Sequence, residues 1–422
     1  MNISVETPHL TSTEVLDAFI QRSWRSNAER QRAKGAEFVI GRRDGVYMWN
    51  LEGSLRVIDC GTGGGVHSLG HRHPSVLAAL RAALDDGRDT GLWTVPNEPY
   101  LTLQDRLAAL APHPALTRSV VTLASTISVD VATMFAFRLT GRQRMLAFRH
   151  GYHGHSGFAA IVTGSPDEGV IDHYNLPTSL CAFFERYGDL EELSQKMTPD
   201  IAAIILEPMD YESFRFGDTA FFAGLRKLCD ERGVLMIIDE TRTGIGRTGQ
   251  LWASSHFSVA PDMMVTGKGL SGGLYPVSAL LMREGDYDRC MNEHRFAYIS
   301  SLGGNEIACS VASAVLDVAS DPELLEQGRR ASDHLANRLA GVAASSNRLG
   351  AVYHLGFALG VEVPDRDFAK TLYAEMFRQG VLCHSICETE PAALKFFPPI
   401  TMTEAEADEV AGRLDAALRV LA

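Results

Sequence analysis

Two short apolar runs in this chain stop at charged residues: residues 234–238 run into Asp239 and Glu240, and residues 263–265 run into Thr266, Gly267 and Lys268. Runs this short and this continuous read as strands buried on both faces, the pattern of a parallel sheet covered by helices. In an open parallel sheet, ligands sit outside the carboxyl ends of the strands. An acid at one strand end and a lysine at another therefore face a common ligand, and this pairing constrains the fold and the chemistry together.

Such a pair suits pyridoxal phosphate, whose aldehyde needs a lysine for a Schiff base and whose ring nitrogen needs an anion to stay protonated. Taken singly, each residue reads more simply as a sheet-end acid or a surface lysine. Taken with their surroundings, IIDETRTGIGRTG and APDMMVTGKGLSGGLYP resemble the Asp-Glu block and the Schiff-base lysine block of the class III aminotransferases, within PLP fold type I. Gly244, Gly246 and Gly249 also spell GxGxxG after a strand, the dinucleotide signature. That signature requires a helix to open at the last glycine, and Gln250, Leu251, Trp252 and a serine-rich turn follow instead. These glycines are loop-makers.

The resemblance implies an α/β protein of PLP fold type I: a large doubly wound, mostly parallel sheet domain, and a smaller α+β domain formed by the N- and C-terminal segments. The expected divisions are residues 1–70, 71–324 and 325–422. At 422 residues, with 45% hydrophobic and 22% charged residues, the chain can bury a large core. No apolar stretch approaches membrane-spanning length, and the start MNISVETPHLTSTEV lacks a signal-peptide pattern, so a cytoplasmic location is expected. A net charge of −13, spread along the chain, argues against nucleic acid as a partner. Seven scattered cysteines fit a reducing compartment, and Cys383, His384 and Cys387 have no second cluster to complete a metal site.

Residues 14–34 read as one amphipathic helix and residues 37–49 as short strands about the turn Arg43-Asp44-Gly45. His67, His71 and His73 fall in a glycine-rich turn before a helix opened by Pro74, and a tight loop explains them better than metal ligation. Residues 120–123, 128–139 and 145–148 then alternate strand, helix, strand. In the family, the first such strand-to-helix turn holds the cofactor phosphate. Residues 123–128 occupy it here, with Ser125 where glycine is usual, Thr126 retained and Ile127 where glutamate is usual. Backbone N–H groups still bind phosphate whatever those side chains are.

Further site residues follow from the resemblance. GYHGHSG brings Tyr152, expected to lie on the pyridine ring, and His153. Glu207 ends a buried strand near the ring-binding aspartate, and Thr241 stands at the ring face. Ser301, before Gly-Gly-Asn, corresponds to a hydroxyl that reaches the neighbouring subunit's cofactor phosphate, implying a homodimer with the active site at its interface. The substrate side is expected to hold Glu212, Lys395, Trp93 and His153. In many relatives a glutamate at the position of Glu212 pairs with an arginine that receives a substrate carboxylate, and ALKFFPPITMTEAEADEV places Lys395 at the arginine position. Lysine is a point charge on a flexible stem where arginine is a planar fork.

These residues imply an aminotransferase in which Lys268 is both the cofactor's covalent partner and the base that moves the proton, with Asp239 and Tyr152 completing the catalytic set. The acceptor expected is an aldehyde or ketone without an α-carboxylate, such as an amino-sugar intermediate. GYHGHSG also resembles the glutamate-1-semialdehyde aminomutase branch. An aminomutase, epimerase or eliminating enzyme on the same scaffold is the alternative, and a catalytically silent cofactor-binding protein is a third.

Overall fold

The computed structural model describes residues 10–23, 25–33, 38–89, 95–164, 173–210, 213–294, 296–387 and 391–422. Its largest sheet has seven strands, in the order Arg118–Thr122, Ser278–Met282, Met263–Thr266, Leu235–Asp239, Ile201–Leu206, Arg144–Phe148, Cys181–Phe184. Ser278–Met282 runs antiparallel to both neighbours, and the remaining pairings are parallel. The strand that carries Asp239 is thus central, with Asp239 opposite Val265 on the strand that leads to Lys268.

The unbroken apolar run before Asp239 is explained by burial on two faces. Met236 and Ile238 enter a core with Phe222, Leu225 and Cys229, and Ile237 enters another with Val129, Ala132 and Ala136. Successive side chains point to opposite faces, so a strand covered on both sides needs no polar alternation. The covering helices are Thr219–Arg232 on the first face and Ser125–Thr140 on the second. Each buried aliphatic side chain contributes about 1.5–3 kcal/mol.

A smaller α+β part is built from the two ends of the chain. Ile40–Asp44, Tyr47–Asn50 and Arg56–Cys60 form a sheet completed by Val381–Cys383, with Cys60 in register with Cys383. Val352–Leu355, Ala358–Glu362, Ala393–Phe396 and Ser385–Ile386 form the second sheet, backed by helices Pro322–Ala344 and Arg366–Arg378, on which Glu404–Val420 packs in turn. The single helix expected over residues 14–34 is two, Ser12–Arg22 and Arg25–Ala33. Thr11 and Glu14 form a capping box at the start of the first, and Ser23 leaves helical geometry at its end, with φ −138° and ψ −128°. Among the described residues, no helix is long and apolar enough to cross a membrane.

Arg247 fastens the two parts together. Its guanidinium is fully buried, donates to the carbonyls of Phe357 and Pro398 and to the hydroxyls of Ser68 and Thr62, and lies 3.9 Å from the centroid of the Phe397 ring. Burial pulls its pKa down to about 9, yet it stays charged at neutral pH. Arg247→Met keeps most of the volume and leaves these buried acceptors unpaired, so a loss of about 3 kcal/mol is expected. Denaturant unfolding checks this: an unchanged midpoint contradicts the clamp.

Candidate active site

Asp239 and Glu240 leave their strand in different directions. Glu240 accepts from Ser254 N at 2.6 Å, Thr243 Oγ1 at 2.6 Å and Ala253 N at 3.2 Å, so it braces the loop that follows. Burial raises its pKa. Asp239 is also buried, but its Oδ2 lies 2.7 Å from His153 Nδ1 and its Oδ1 accepts from Thr241 N at 2.9 Å. Burial alone would raise its pKa; the hydrogen bonds from His153 and Thr241 and the pull of the imidazole outweigh burial, and the carboxyl titrates below its ordinary range. Asp239 is therefore a fixed anion at neutral pH. Its acceptor role puts the proton on His153 Nδ1.

Lys268 opens a short 3₁₀ turn, Lys268–Ser271, at φ 39°. A Cβ at Gly64 would lie 3.2 Å from Lys268 Nζ, so the glycine-rich turn passes against the amine. Nζ also lies 5.8 Å from the Tyr152 ring centroid. Burial, with the Arg242 cation second, pulls the Lys268 pKa down to about 8, against Glu207 and Asp239, which raise it. At a pKa of about 8, about a tenth of the amine is neutral at pH 7 and half of it at pH 8, a far larger share than an ordinary lysine offers as nucleophile and base.

Tyr152 is held from two sides. Its N–H donates to Glu207 Oε2 at 3.2 Å, and the Arg242 guanidinium lies 5.2 Å from its ring centroid. Arg242 Nε donates to Glu207 Oε1 at 2.6 Å and Nη2 donates to Oε2, a two-pronged pair in which both side chains are buried. The loop that carries Tyr152 and His153 is pinned by Thr163 Oγ1, which accepts from His153 N at 2.8 Å and Gly154 N at 3.1 Å.

The phosphate turn is built from backbone. The helix Ser125–Thr140 starts three residues earlier than the expected boundary, because Ile127 N and Ser128 N already donate to Ala124 O. Its N-cap, Ala124, makes no side-chain hydrogen bond, so the first N–H groups are left for another acceptor. Gly154, at φ 134°, would place a Cβ 2.5 Å from Thr126 Oγ1, and a Cβ at Gly267 would lie 2.9 Å from Ser125 Cβ. The strand end of Lys268 and the Tyr152 loop thus both close on this helix start. An uncapped helix N-terminus for a phosphate, a fixed anion for a ring nitrogen, a ring to lie beside and a depressed lysine together fit pyridoxal phosphate.

Of the expected site residues, the structure gathers Lys268, Asp239, Tyr152, His153, Thr241, Glu207, Ser125 and Thr126 at the carboxyl ends of the large sheet. Ser301 is exposed on the turn before helix Glu306–Ala319. Glu212 and Trp93 lie outside the described residues. Lys395 is buried on Ala393–Phe396, with Nζ 5.2 Å from the Phe214 ring centroid. Sequence reasoning missed Arg242, to which it gave no role, and His384, weighed only as a metal ligand. His384 is stacked on Phe397 (5.2 Å, 30°) and Phe214 (5.9 Å, 29°). Its Cε1 lies 3.7 Å from the Cβ position of the same Gly64 that touches Lys268. Burial and then the charges of Lys395, Lys268 and Arg242 hold its pKa well below the usual value, so it is neutral.

Two outcomes are expected. In protein stripped of cofactor, uptake of pyridoxal phosphate should speed up as pH rises through about 8, since the amine is neutral above that value; a rise only near the ordinary 10.5 contradicts the burial of Lys268. Asp239→Asn, which keeps the shape and removes the charge, should lower turnover roughly 100- to 1,000-fold with the cofactor still bound.

The model of the family described as aminotransferase class-III matches residues 28–418. An uncharacterised aminotransferase of Archaeoglobus fulgidus is 33% identical over 411 residues, 96% of this chain and 94% of that one. The acetylornithine aminotransferase of Pseudomonas putida is 30% identical, covering 92% and 94%, and a succinylornithine transaminase of Salmonella enteritidis 31%, covering 90% and 91%. Among solved structures, a transaminase from the marine bacterium Virgibacillus superposes with TM-score 0.88 at 20% identity, covering 96% of this chain and 98% of that one. An ornithine aminotransferase of Toxoplasma gondii, described with partial occupancy of pyridoxal phosphate at its active site, superposes at 0.84 and 23%, covering 97% and 94%. Matched along nearly its whole length in sequence and in fold, the chain belongs to the class III aminotransferases.

Proposed function

We propose that this aminotransferase exchanges an amino group between an amine or amino-acid donor and an aldehyde whose reacting carbon bears no carboxylate, amino-sugar aldehydes among them. The observation that carries this reading is Lys395, a buried amine beside Phe214, on the wall that Phe214, His384 and Phe397 form next to Lys268. A flexible point charge in that place does not make the planar two-pronged grip that an α-carboxylate takes from arginine. The apolar ring faces suit a compact carbon skeleton, and the neutral His384 suits a hydroxyl. Acetylornithine and succinylornithine, named for the relatives, have an acylated α-nitrogen and react through a terminal amine, whose aldehyde counterpart falls in the same class.

Bound pyridoxal phosphate supplies an electron sink for the reacting carbon. Asp239 holds a proton at the ring nitrogen, and His153 keeps the carboxylate charged and oriented. Tyr152, set by Glu207 and Arg242, fixes the plane beside the lysine. Lys268 Nζ takes and returns the proton at the reacting carbon. The N–H groups at Ser125 and Thr126 receive the phosphate. In a homodimer, Ser301 of one subunit serves the phosphate in the site of its partner, which accounts for a turn that leaves Ile299 and Leu302 exposed beside it on the single chain.

The stretch Gly151 to Gly157 supports a second reading, an aminomutase of the glutamate-1-semialdehyde type, in which the nitrogen stays within one molecule. An acceptor screen separates the two. Aldehydes of amino sugars and of acylated ornithines should accept nitrogen, and Lys395→Arg should raise kcat/KM for an α-keto dicarboxylate about tenfold. Exchange confined to α-amino and α-keto acids in the unaltered enzyme overturns the aldehyde assignment. An isomer of the donor formed without any added carbonyl establishes the mutase.

A further inference from the structure

The glycine-rich turn that brings Gly64 to Lys268 also walls a second cavity, of about 740 Å³, lined by Arg42, Arg43, Arg72, Arg81, His67 and His71. None of Lys268, Asp239, Tyr152, Glu207 or Arg242 lines it. Its size is that of a small-molecule site. In a chain with a net charge of −13, four arginines against one acid, Asp44, about one hollow are a local reversal of sign. Arg42 is engaged, pairing with Asp44 at 3.4 Å and lying 4.8 Å from the Trp49 ring centroid. Arg43, Arg72 and Arg81 have no acidic partner among the described residues.

The 12-residue helix Pro74–Asp85 runs along the cavity wall, with Pro74, Leu77, Ala78 and Arg81 on the side that faces it, so the helix sets Arg81 against the hollow.

A buried donor-acceptor pair at the cavity wall is incomplete. His71 is 3% exposed, and its Nε2 lies 3.0 Å from Asp59 Oδ2. Asp59 Oδ1 is taken by Gly61 N at 2.9 Å and Thr62 N at 2.8 Å, so the carboxylate is filled on both oxygens. His71 Nδ1 has no partner, and neither has His67 Nδ1. The two rings lie 4.1 Å apart. Burial, and next the charge of His71, push the His67 pKa down to about 4. Unpartnered buried ring nitrogens are costly unless a ligand completes them. His71 is held through Nε2 by Asp59, and its Nδ1 is the atom left for a ligand to complete.

We propose that this cavity binds a small molecule carrying two or more negative charges, clustered as phosphate or carboxylate groups, at a site separate from the catalytic lysine. Arg43, Arg72 and Arg81 supply the charge, and His71 supplies the buried contact. The shared turn places this anion within one loop of the active site.

The test is calorimetric titration of the cofactor-loaded enzyme with inorganic pyrophosphate in one arm and citrate in the other, at low and at physiological salt. Saturable binding at one site per chain is expected, weakened at least tenfold in the Arg72→Ala/Arg81→Ala double variant, whose turnover without added anion matches that of the parent enzyme. Binding of pyrophosphate alone identifies a phosphate-bearing ligand, and binding of citrate alone a polycarboxylate. No saturable binding in either arm, or equal affinity in the double variant, overturns the proposal.

Discussion

A carboxylate kept ionised at the end of a strand buried on both faces is the interaction on which this structure depends. Asp239 sits where burial by itself would favour the protonated acid, and the hydrogen bond from His153 at 2.7 Å, with that from Thr241 N, reverses the preference. Breaking one partner of such a buried pair costs about 3–5 kcal/mol, because the other is left uncompensated. The imidazole must therefore be fixed, and its loop is: Thr163 ties the backbone of His153 and Gly154, and Glu207 ties that of Tyr152. Anion, imidazole, loop and ring form one chain of constraints.

The same constraint acts on Lys268. It is held against Gly64 with the Arg242 cation repelling its charge, and Glu207, which pairs with Arg242, keeps that guanidinium oriented. The result is an amine and a carboxylate in one site, both of depressed basicity: the carboxylate is ionised at neutral pH, and the amine gives up its proton near pH 8. Domain attachment uses similar means. Arg247, a few residues beyond Arg242 on the same loop, reaches into the smaller part, so one loop both shapes the site and holds the two parts in place.

Much of the fold was legible in the sequence because buried parallel strands announce themselves. The runs ending at Glu207, Asp239 and Thr266 appear as strands within a residue or two of their expected bounds, since continuous aliphatic character has no other stable use at that length. The N-terminal helix was misjudged because the polar run Arg25–Ala33 holds neither proline nor glycine to mark the break at Ser23, and only backbone geometry reveals the interruption. The early start of helix Ser125–Thr140 was hidden for a related reason: Ala124 offers no capping side chain, the usual signal of a start. For the site, Lys268, Asp239, Tyr152 and Glu207 were readable from strand ends and family motifs. Arg242 and His384 were not, because their roles come from partners distant in the chain: Glu207 for the first, Phe214 and Phe397 for the second. No local pattern encodes such meetings.

A fixed anion and a depressed lysine hold pyridoxal phosphate for amino transfer, and the absorption spectrum of the purified protein reports on both. With pyridoxal phosphate added, the protein should turn yellow, and one amine or amino-acid donor, added alone and in excess, should bleach that colour to the amine form of the cofactor in a single turnover. A yellow band that shifts but never bleaches with any donor would contradict amino transfer, and a spectrum that stays that of free pyridoxal phosphate would contradict the site itself.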